Sequence, residues 1–385
     1  MLTRRERLML TLRGQPVDRP AVNFYEIGGF KVDPDDPDPF NIYNAPDWRG
    51  LLQLAEQHTD IIRMMSPVRA RSVDPSGSAS GPLRDEFFKE ESWPQDDSLL
   101  TRTTVTAAGR TMTQTTRRDR DLDTVWTTEH LLKNTDDLKA YLTIPDEAFA
   151  ETVDVSGLLA EEAALADRGI VMIDTEDPLC GAASLWSMED YTIVAMTEPE
   201  LFHQLLEKMA RRIHERTQAV SDLLPGRLWR IYGPEYATPP YLPPRFFEEY
   251  VVRYAGPMVR MIQAGDGFAR IHCHGRLKDV LDLICKMAPD AVDPIEPPPQ
   301  GDVELSYVRQ HYGDKLVLFG NIEIADVENL PADQFAEKVK RALDKGTSGA
   351  GRGFVLMPSA SPYGRTISST TMQNYETMVR LAEAW

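Results

Sequence analysis

Cysteine is nearly missing from this chain. Cys180, Cys273 and Cys285 are the only three in 385 residues, an odd number too small for a disulfide framework and suited to a reducing compartment. Long apolar runs are missing too, and none approaches the roughly 20 residues of a membrane span. The opening MLTRRERLMLTLRG interleaves charge with leucine at helical spacing and lacks the apolar core of a signal peptide. Basic residues are in deficit, 42 against 60 acidic ones, for a formal charge of −18. A field of that sign repels phosphate backbones and anionic membrane surfaces, which excludes nucleic acid and membrane as partners. The absences together predict a soluble, unprocessed, cytoplasmic protein. What is present, 42% hydrophobic and 26% charged residues, suffices for a large core and argues against disorder.

Thr3 followed by Glu6 has the form of a capping box, and the leucines after it feed a helix that Gly14 stops. Eight short apolar runs come next: AVNFYEIGG (21–29), DIIRMMS (60–66), IVMIDTEDP (170–178), LWRIYGPEY (228–236), ARIHCHG (269–275), AVDPIEP (291–297), KLVLFGNIE (315–323) and FVLMPSAS (354–361). Segments with apolar residues at three- and four-residue spacing lie between them, among them WRGLLQLAEQH and one helix over 189–220. Strand and helix in alternation predict a parallel sheet, and eight such units predict a closed α/β (β/α)8 TIM barrel filling 1–385 as a single domain. One region breaks the rhythm: over about 74–130 the chain turns polar, and two threonine-rich stretches around Ala108-Gly109 read as a β-hairpin inserted after strand two, either a solvated excursion or a lid.

In a barrel, chemistry collects where the strands end. On the fifth predicted strand His272 and His274 are two apart and share the inward face, while Ile271 and Cys273 share the other, so Cys273 is expected to fill the core. Two inward imidazoles form half of a tetrahedral metal site, and zinc needs three or four ligands. Glu235, Glu296 and Glu323 each lie just past a strand end; Glu235 is the expected third ligand, because its strand precedes that of the histidines. Alternatively, these glutamates bind substrate hydroxyls or loop amides, and the histidines bond one another through water. Asp174, Glu176 and Asp177 end strand three, where N-capping is the expected task. The glycine-rich GTSGAGRG (346–353) lacks the residues of a phosphate loop and reads as a helix-to-strand turn. His58, His130, His203, His214 and His311 read as surface or packing residues.

LRGQPVDRPAV, MEDY with TEPEL, IHCHG, IEPPPQGDVEL, YGDKLVLFGNIE and GRGFVLMPSASPYG together resemble the uroporphyrinogen decarboxylase-like superfamily over most of the chain, least in the insertion. The resemblance implies a (β/α)8 barrel, in agreement with the strand count. True uroporphyrinogen decarboxylases carry an arginine-rich segment after strand one, an aspartate after strand two and a late histidine. Here the corresponding stretches read FYEIGGF, DIIRMMSP with Ser66 or Pro67 at the aspartate's place, and MPSAS. The other branch, zinc-dependent methyltransferases that exchange methyl groups with corrinoid proteins, uses an H-x-C motif on strand five and a later cysteine. Here His272 stands at the histidine, His274 at the first cysteine and Ala360 at the second.

A His/His/Glu shell is harder than one with thiolates and suits activation of an oxygen. The resemblance therefore implies a methyltransferase moving a methyl group from a small, oxygen-linked compound to a corrinoid carried by a partner protein. Zinc would sit on His272, His274 and Glu235. Glu296 and Glu323 would orient substrate or water, Asn321 would meet a substrate oxygen, Tyr25 and Glu26 would line the mouth, and Tyr363 and Arg365 would bind a substrate carboxylate. A decarboxylase or lyase acting on another carboxylated substrate, and a non-catalytic binding barrel, are the alternatives.

Overall fold

All eight apolar runs form parallel strands in the computed structural model, which describes residues 2–25, 27, 37–67 and 82–385. They are β1 (Ala21–Val22), β2 (Ile61–Met65), then, past an insertion holding β3 to β6, β7 (Gly169–Glu176), β8 (Leu228–Tyr232), β9 (Phe268–His272), β10 (Ala291–Asp293), β11 (Val317–Ile322) and β12 (Phe354–Pro358). Their spatial order, β1-β12-β11-β10-β9-β8-β7-β2, is chain order around a ring. The two ends of the ring meet where the Asp60 N–H donates to the Val22 carbonyl at 2.8 Å. The architecture is the expected (β/α)8 barrel of TIM type.

Alternation along the strands sorts the side chains into two cores. Ile62, Met172, Leu228, Phe319, Val355 and Met357 fill the barrel interior. Their neighbours Ile61, Ile173, Ile231, Ile271, Leu318 and Leu356 face the surrounding helices. Period-two placement in a closed parallel sheet requires such a division. Leu8 and Leu12 of the N-terminal helix (Arg4–Leu12) belong to the interior cluster, and that helix carries the expected Thr3/Glu6 capping box. The segment 189–220, expected as one helix, is two, Met188–Thr197 and Pro199–Leu223. Pro199, which lacks an N–H and fixes φ, begins the second helix at its first turn. Among the described residues no helix is long and apolar enough to cross a membrane.

The insertion is larger than the expected hairpin. Its described part forms a four-stranded antiparallel sheet of β3 (Phe88–Gln95), β4 (Ser98–Ala107), β5 (Arg110–Asp119) and β6 (Val125–Glu129), while 74–81 lie outside the described residues. The β4–β5 turn is the expected one, with Ala108 and Gly109 both left-handed (φ 47° and 76°) as a two-residue type I′ turn requires. Past β5 the sheet is fastened to the barrel. Tyr43 donates to Asp123 at 2.7 Å, Arg118 pairs with Asp38 at 3.0 Å, and Leu122 bridges Gly364.

Asp60 holds the ring's junction. Fully buried, it accepts from Arg7 (2.6 Å), Arg19 (2.9 Å) and the Val22 N–H (2.9 Å), tying the N-terminal helix, β1 and β2 together. Removing one partner of a buried ion pair leaves uncompensated charge and costs about 3–5 kcal/mol. Asp60→Ala should lose stability on that scale in urea unfolding; a loss below about 1 kcal/mol, the value of an exposed pair, would refute this role.

Candidate active site

Parallel pairing sets His272 of β9 opposite Asp293 of β10. Their side chains meet at 2.8 Å, Nδ1 to Oδ2, and Arg270, two residues back on the inward face, pairs with the other carboxylate oxygen at 3.0 Å. Burial would raise the Asp293 carboxyl, but the charge of Arg270 and the interaction with His272 outweigh it and hold the group down to about 2. For His272 burial dominates: it brings the imidazole down to about 3 against the pull of Asp293. An ionised carboxylate only accepts, so Nδ1 carries the hydrogen and Nε2 presents a lone pair. Tyr25 Oη lies 3.4 Å from that Nε2 and accepts from Arg230 at 2.8 Å; Arg230 in turn pairs with Asp174 at 3.0 Å. Tyr25 adopts φ +54°, a left-handed conformation a bulky residue rarely takes, and such strain concentrates at functional sites.

His274 follows in the loop after β9, its ring 4.6 Å from that of His272 and nearly perpendicular to it. Its Nδ1 donates to Glu296 at 2.8 Å, while the second Glu296 oxygen accepts the Gly275 N–H at 2.8 Å. Burial opposes the charge on His274, but the hydrogen bond to Glu296 and the charges of Glu296 and Glu235 prevail and raise its pKa. Glu296 moves the other way: burial would raise it, and His274 brings it down. The two form an imidazolium–carboxylate pair.

Two further glutamates face this pair. Glu235 sits in the short 3-10 turn Pro234–Ala237, accepts the Gly233 N–H at 3.1 Å, and has its pKa raised by burial. That turn demands glycine at 233, where φ is +116° and a Cβ would come within 2.4 Å of Asp177 and Cys180. Glu323, just past β11, is 7% exposed. Ser359 approaches one of its oxygens at 3.5 Å, and the other, Oε1, is buried with no hydrogen-bond partner among the described residues. Burial first, then the charges of Glu296 and Asp326, push its carboxyl up to about 7, with His274 and the Ser359 bond opposing. A buried acid able to hold or release its proton near neutral pH belongs where protons are moved.

The sequence-predicted residues separate into three groups. His272, His274, Glu235, Glu296, Glu323 and Tyr25 come together through the hydrogen bonds and charge interactions above. Glu26 lies outside the described residues. Asn321 lines a cleft of about 160 Å³ with Pro297, Leu305 and Lys338; Tyr363 is half exposed; and Arg365 donates to the carbonyls of Pro39, Asn41 and Arg120, where it fastens the insertion. Cys273 is fully buried toward the helices, and Asp177 caps the helix Pro178–Ala183. Arg230, Arg270 and Asp293 escaped the sequence-based choice, although each is a charged residue at an inward position of a barrel strand, and that signal was available.

The histidines fit zinc in kind. Each Nδ1 is held by a carboxylate, the outer arrangement that metal-bound imidazoles use, which leaves the Nε2 lone pair of the neutral His272 free for a metal and that of His274 once the ring gives up its extra proton. A third donor is not in place: among the described residues no group of three or more His, Cys, Asp or Glu side chains is placed to hold a metal ion.

A closed parallel barrel with acids and imidazoles at the strand ends defines a barrel enzyme site. Residues 126–385 match the family model described as "Uroporphyrinogen decarboxylase (URO-D)", and the chain belongs to that family. Among solved structures it is similar to a methyltransferase from Methanosarcina mazei, at 13% identity and a TM-score of 0.59, over 100% of this chain and 99% of that one. It is also similar, at 11% identity and a TM-score of 0.35 over 59% of this chain and 82% of the other, to a D-psicose 3-epimerase from Clostridium cellulolyticum H10. No curated protein matches it.

In the metal-free protein His272 should stay neutral, with its hydrogen on Nδ1, from pH 5 to 8. The ¹⁵N shifts of the ring report tautomer and charge directly, and an imidazolium signal at pH 6 would contradict the assignment.

Proposed function

We propose that this chain is a methyltransferase that takes a methyl group from a small oxygen-linked donor and passes it to a corrinoid carried by a partner protein. The observation that carries the proposal is Glu323: a carboxyl buried at the strand ends, pushed up to about 7 by burial and the charges of Glu296 and Asp326, with one oxygen lacking a hydrogen-bond partner among the described residues. An alkoxide or phenoxide is a poor leaving group unless protonated as the bond breaks. In the proposed reaction the carbon–oxygen bond breaks with its electron pair staying on oxygen, and the proton of neutral Glu323 goes to that oxygen. The methyl carbon passes to the reduced corrinoid, and Glu323 regains a proton from water.

The His274 imidazolium, balanced by Glu296, stands beside Glu323, and the neutral His272 is fixed by Asp293 and Tyr25. General acid assistance of this kind contributes about 10²–10⁴ in rate. Zinc belongs to the proposal as the ion that His272, His274 and Glu235 would hold, and when bound it would supply Lewis acidity at the leaving oxygen. The likeness of the fold to a methyltransferase from Methanosarcina mazei agrees with this choice of reaction.

The test mixes the purified protein with a reduced corrinoid protein and methoxylated compounds, following the corrinoid spectrum. Methyl transfer is expected, and Glu323→Gln should slow it by about 10²–10⁴-fold. Absence of transfer to any corrinoid acceptor contradicts the proposal. Because the protonated form of Glu323 acts, kcat should be full below its pKa and fall as pH rises through about 7. A pH-independent kcat between 6 and 8 would remove Glu323 from the acid's role. Metal analysis of chelator-free protein should find zinc that His272→Ala and His274→Ala abolish; unchanged zinc content in both variants would dismiss the assigned ligands.

A further inference from the structure

We infer that a second ligand site, for a small zwitterion of the amino-acid type, lies outside the barrel wall between the helices Leu305–Tyr312 and Ala332–Thr347. The inference stands on that cleft alone and is independent of methyl transfer.

Asn321, expected at a substrate oxygen, lines this cleft of about 160 Å³ together with the apolar Pro297, Leu305, Ile322 and Ala342. Drug-sized ligands fill about 300–1,000 Å³, so the volume suits a small metabolite. Lys338, Arg341 and Lys345 reach the cleft from one face of their helix, at three- and four-residue spacing, and Glu304 and Asp326 join them. Most of this charge is matched: Lys338 pairs with Asp326 at 2.5 Å and Lys345 with Asp344 at 2.8 Å. Arg341 and Glu304 remain, a cation and a carboxylate, with no hydrogen bond or ion pair among the described residues; the Asn321 amide has none either.

Opposite charges that share a cleft without pairing with each other fit a ligand that carries both. A guanidinium grips a carboxylate through two parallel N–H bonds, and a carboxylate accepts from an ammonium. Arg341 and Glu304 therefore suit the two ends of an amino acid. The Asn321 amide has both a donor and an acceptor and serves either end. A plain anion meets the Glu304 carboxylate and a plain cation meets Arg341, so a single charge is opposed where the zwitterion is matched. The apolar wall takes a short aliphatic side chain.

Calorimetric titration with L-alanine, L-valine and L-leucine, each beside the analogues that lack its ammonium or its carboxylate, tests the inference; for valine these are 3-methylbutanoate and isobutylamine. At least one amino acid should bind with a Kd of about 1 mM or below, and both of its analogues about tenfold or more weakly. Arg341 and Glu304 are exposed, so substituting them leaves the core intact. Arg341→Met should weaken the amino acid about tenfold and leave the amine no weaker, and Glu304→Gln should weaken the amino acid about tenfold and leave the carboxylate analogue no weaker. Failure of all three amino acids to bind at about 10 mM, an analogue that binds as tightly as its amino acid, or an amino-acid affinity unchanged in either variant overturns the inference.

Discussion

The Asp293 carboxylate is the constraint on which the candidate site depends. It is fully buried, yet two partners from the neighbouring strand, Arg270 and His272, keep it ionised. A buried anion held this way fixes the hydrogen of His272 on Nδ1, turns its Nε2 outward and holds the ring in one orientation. The next layer follows: His274, two residues on in the loop after β9, sets its ring edge-on to His272 and reaches Glu296 one strand further. Two carboxylate–imidazole pairs therefore stand side by side, one neutral in its ring and one charged. Their difference comes from surroundings: at His272 burial dominates and Arg230 adds to it, while at His274 Glu296 and Glu235 outweigh burial.

Separated protonation states are what acid–base chemistry needs in one place. Asp293 and Glu296 are pushed down by the partners they touch, while Glu235 is pushed up by burial and Glu323 by burial and the charges of Glu296 and Asp326. The barrel supplies the convergence: the contributing residues come from the ends of β1, β8, β9, β10, β11 and β12, which are far apart in sequence and adjacent in the ring. At the other end, Asp60 and the N-terminal helix close the ring, so stability and chemistry occupy opposite ends of the barrel.

Much of this was legible in the sequence, for physical reasons. Parallel strands buried on both faces read as continuous apolar runs, and all eight were found at their places. The closeness of His272 and His274 was legible, although β9 ends at His272 and His274 reaches it from the loop rather than by the strand's two-residue period. The hairpin announced itself in Ala108-Gly109 between threonine-rich stretches. The sheet around that turn did not: β3 reads FKEESWPQ, charged and interrupted by Pro94, and has strand form because β4 pairs with it rather than because of its own pattern. The partners of the histidines were hidden for a similar reason. Asp293 faces His272 through inter-strand register, which no single segment encodes. Arg365 was expected at a substrate and instead meets carbonyls that a loop and the insertion bring to it from distant parts of the chain. The left-handed backbone of Tyr25 likewise has no local signature.

The central claim is that a buried carboxyl, Glu323, holds its proton up to neutral pH beside an imidazolium. Titration of its side-chain carbon by ¹³C NMR in selectively labelled protein tests this most directly. A midpoint near 7 that moves down when Glu296 is replaced by Gln is the predicted result. A midpoint in the ordinary carboxylate range near 4.5 would contradict it.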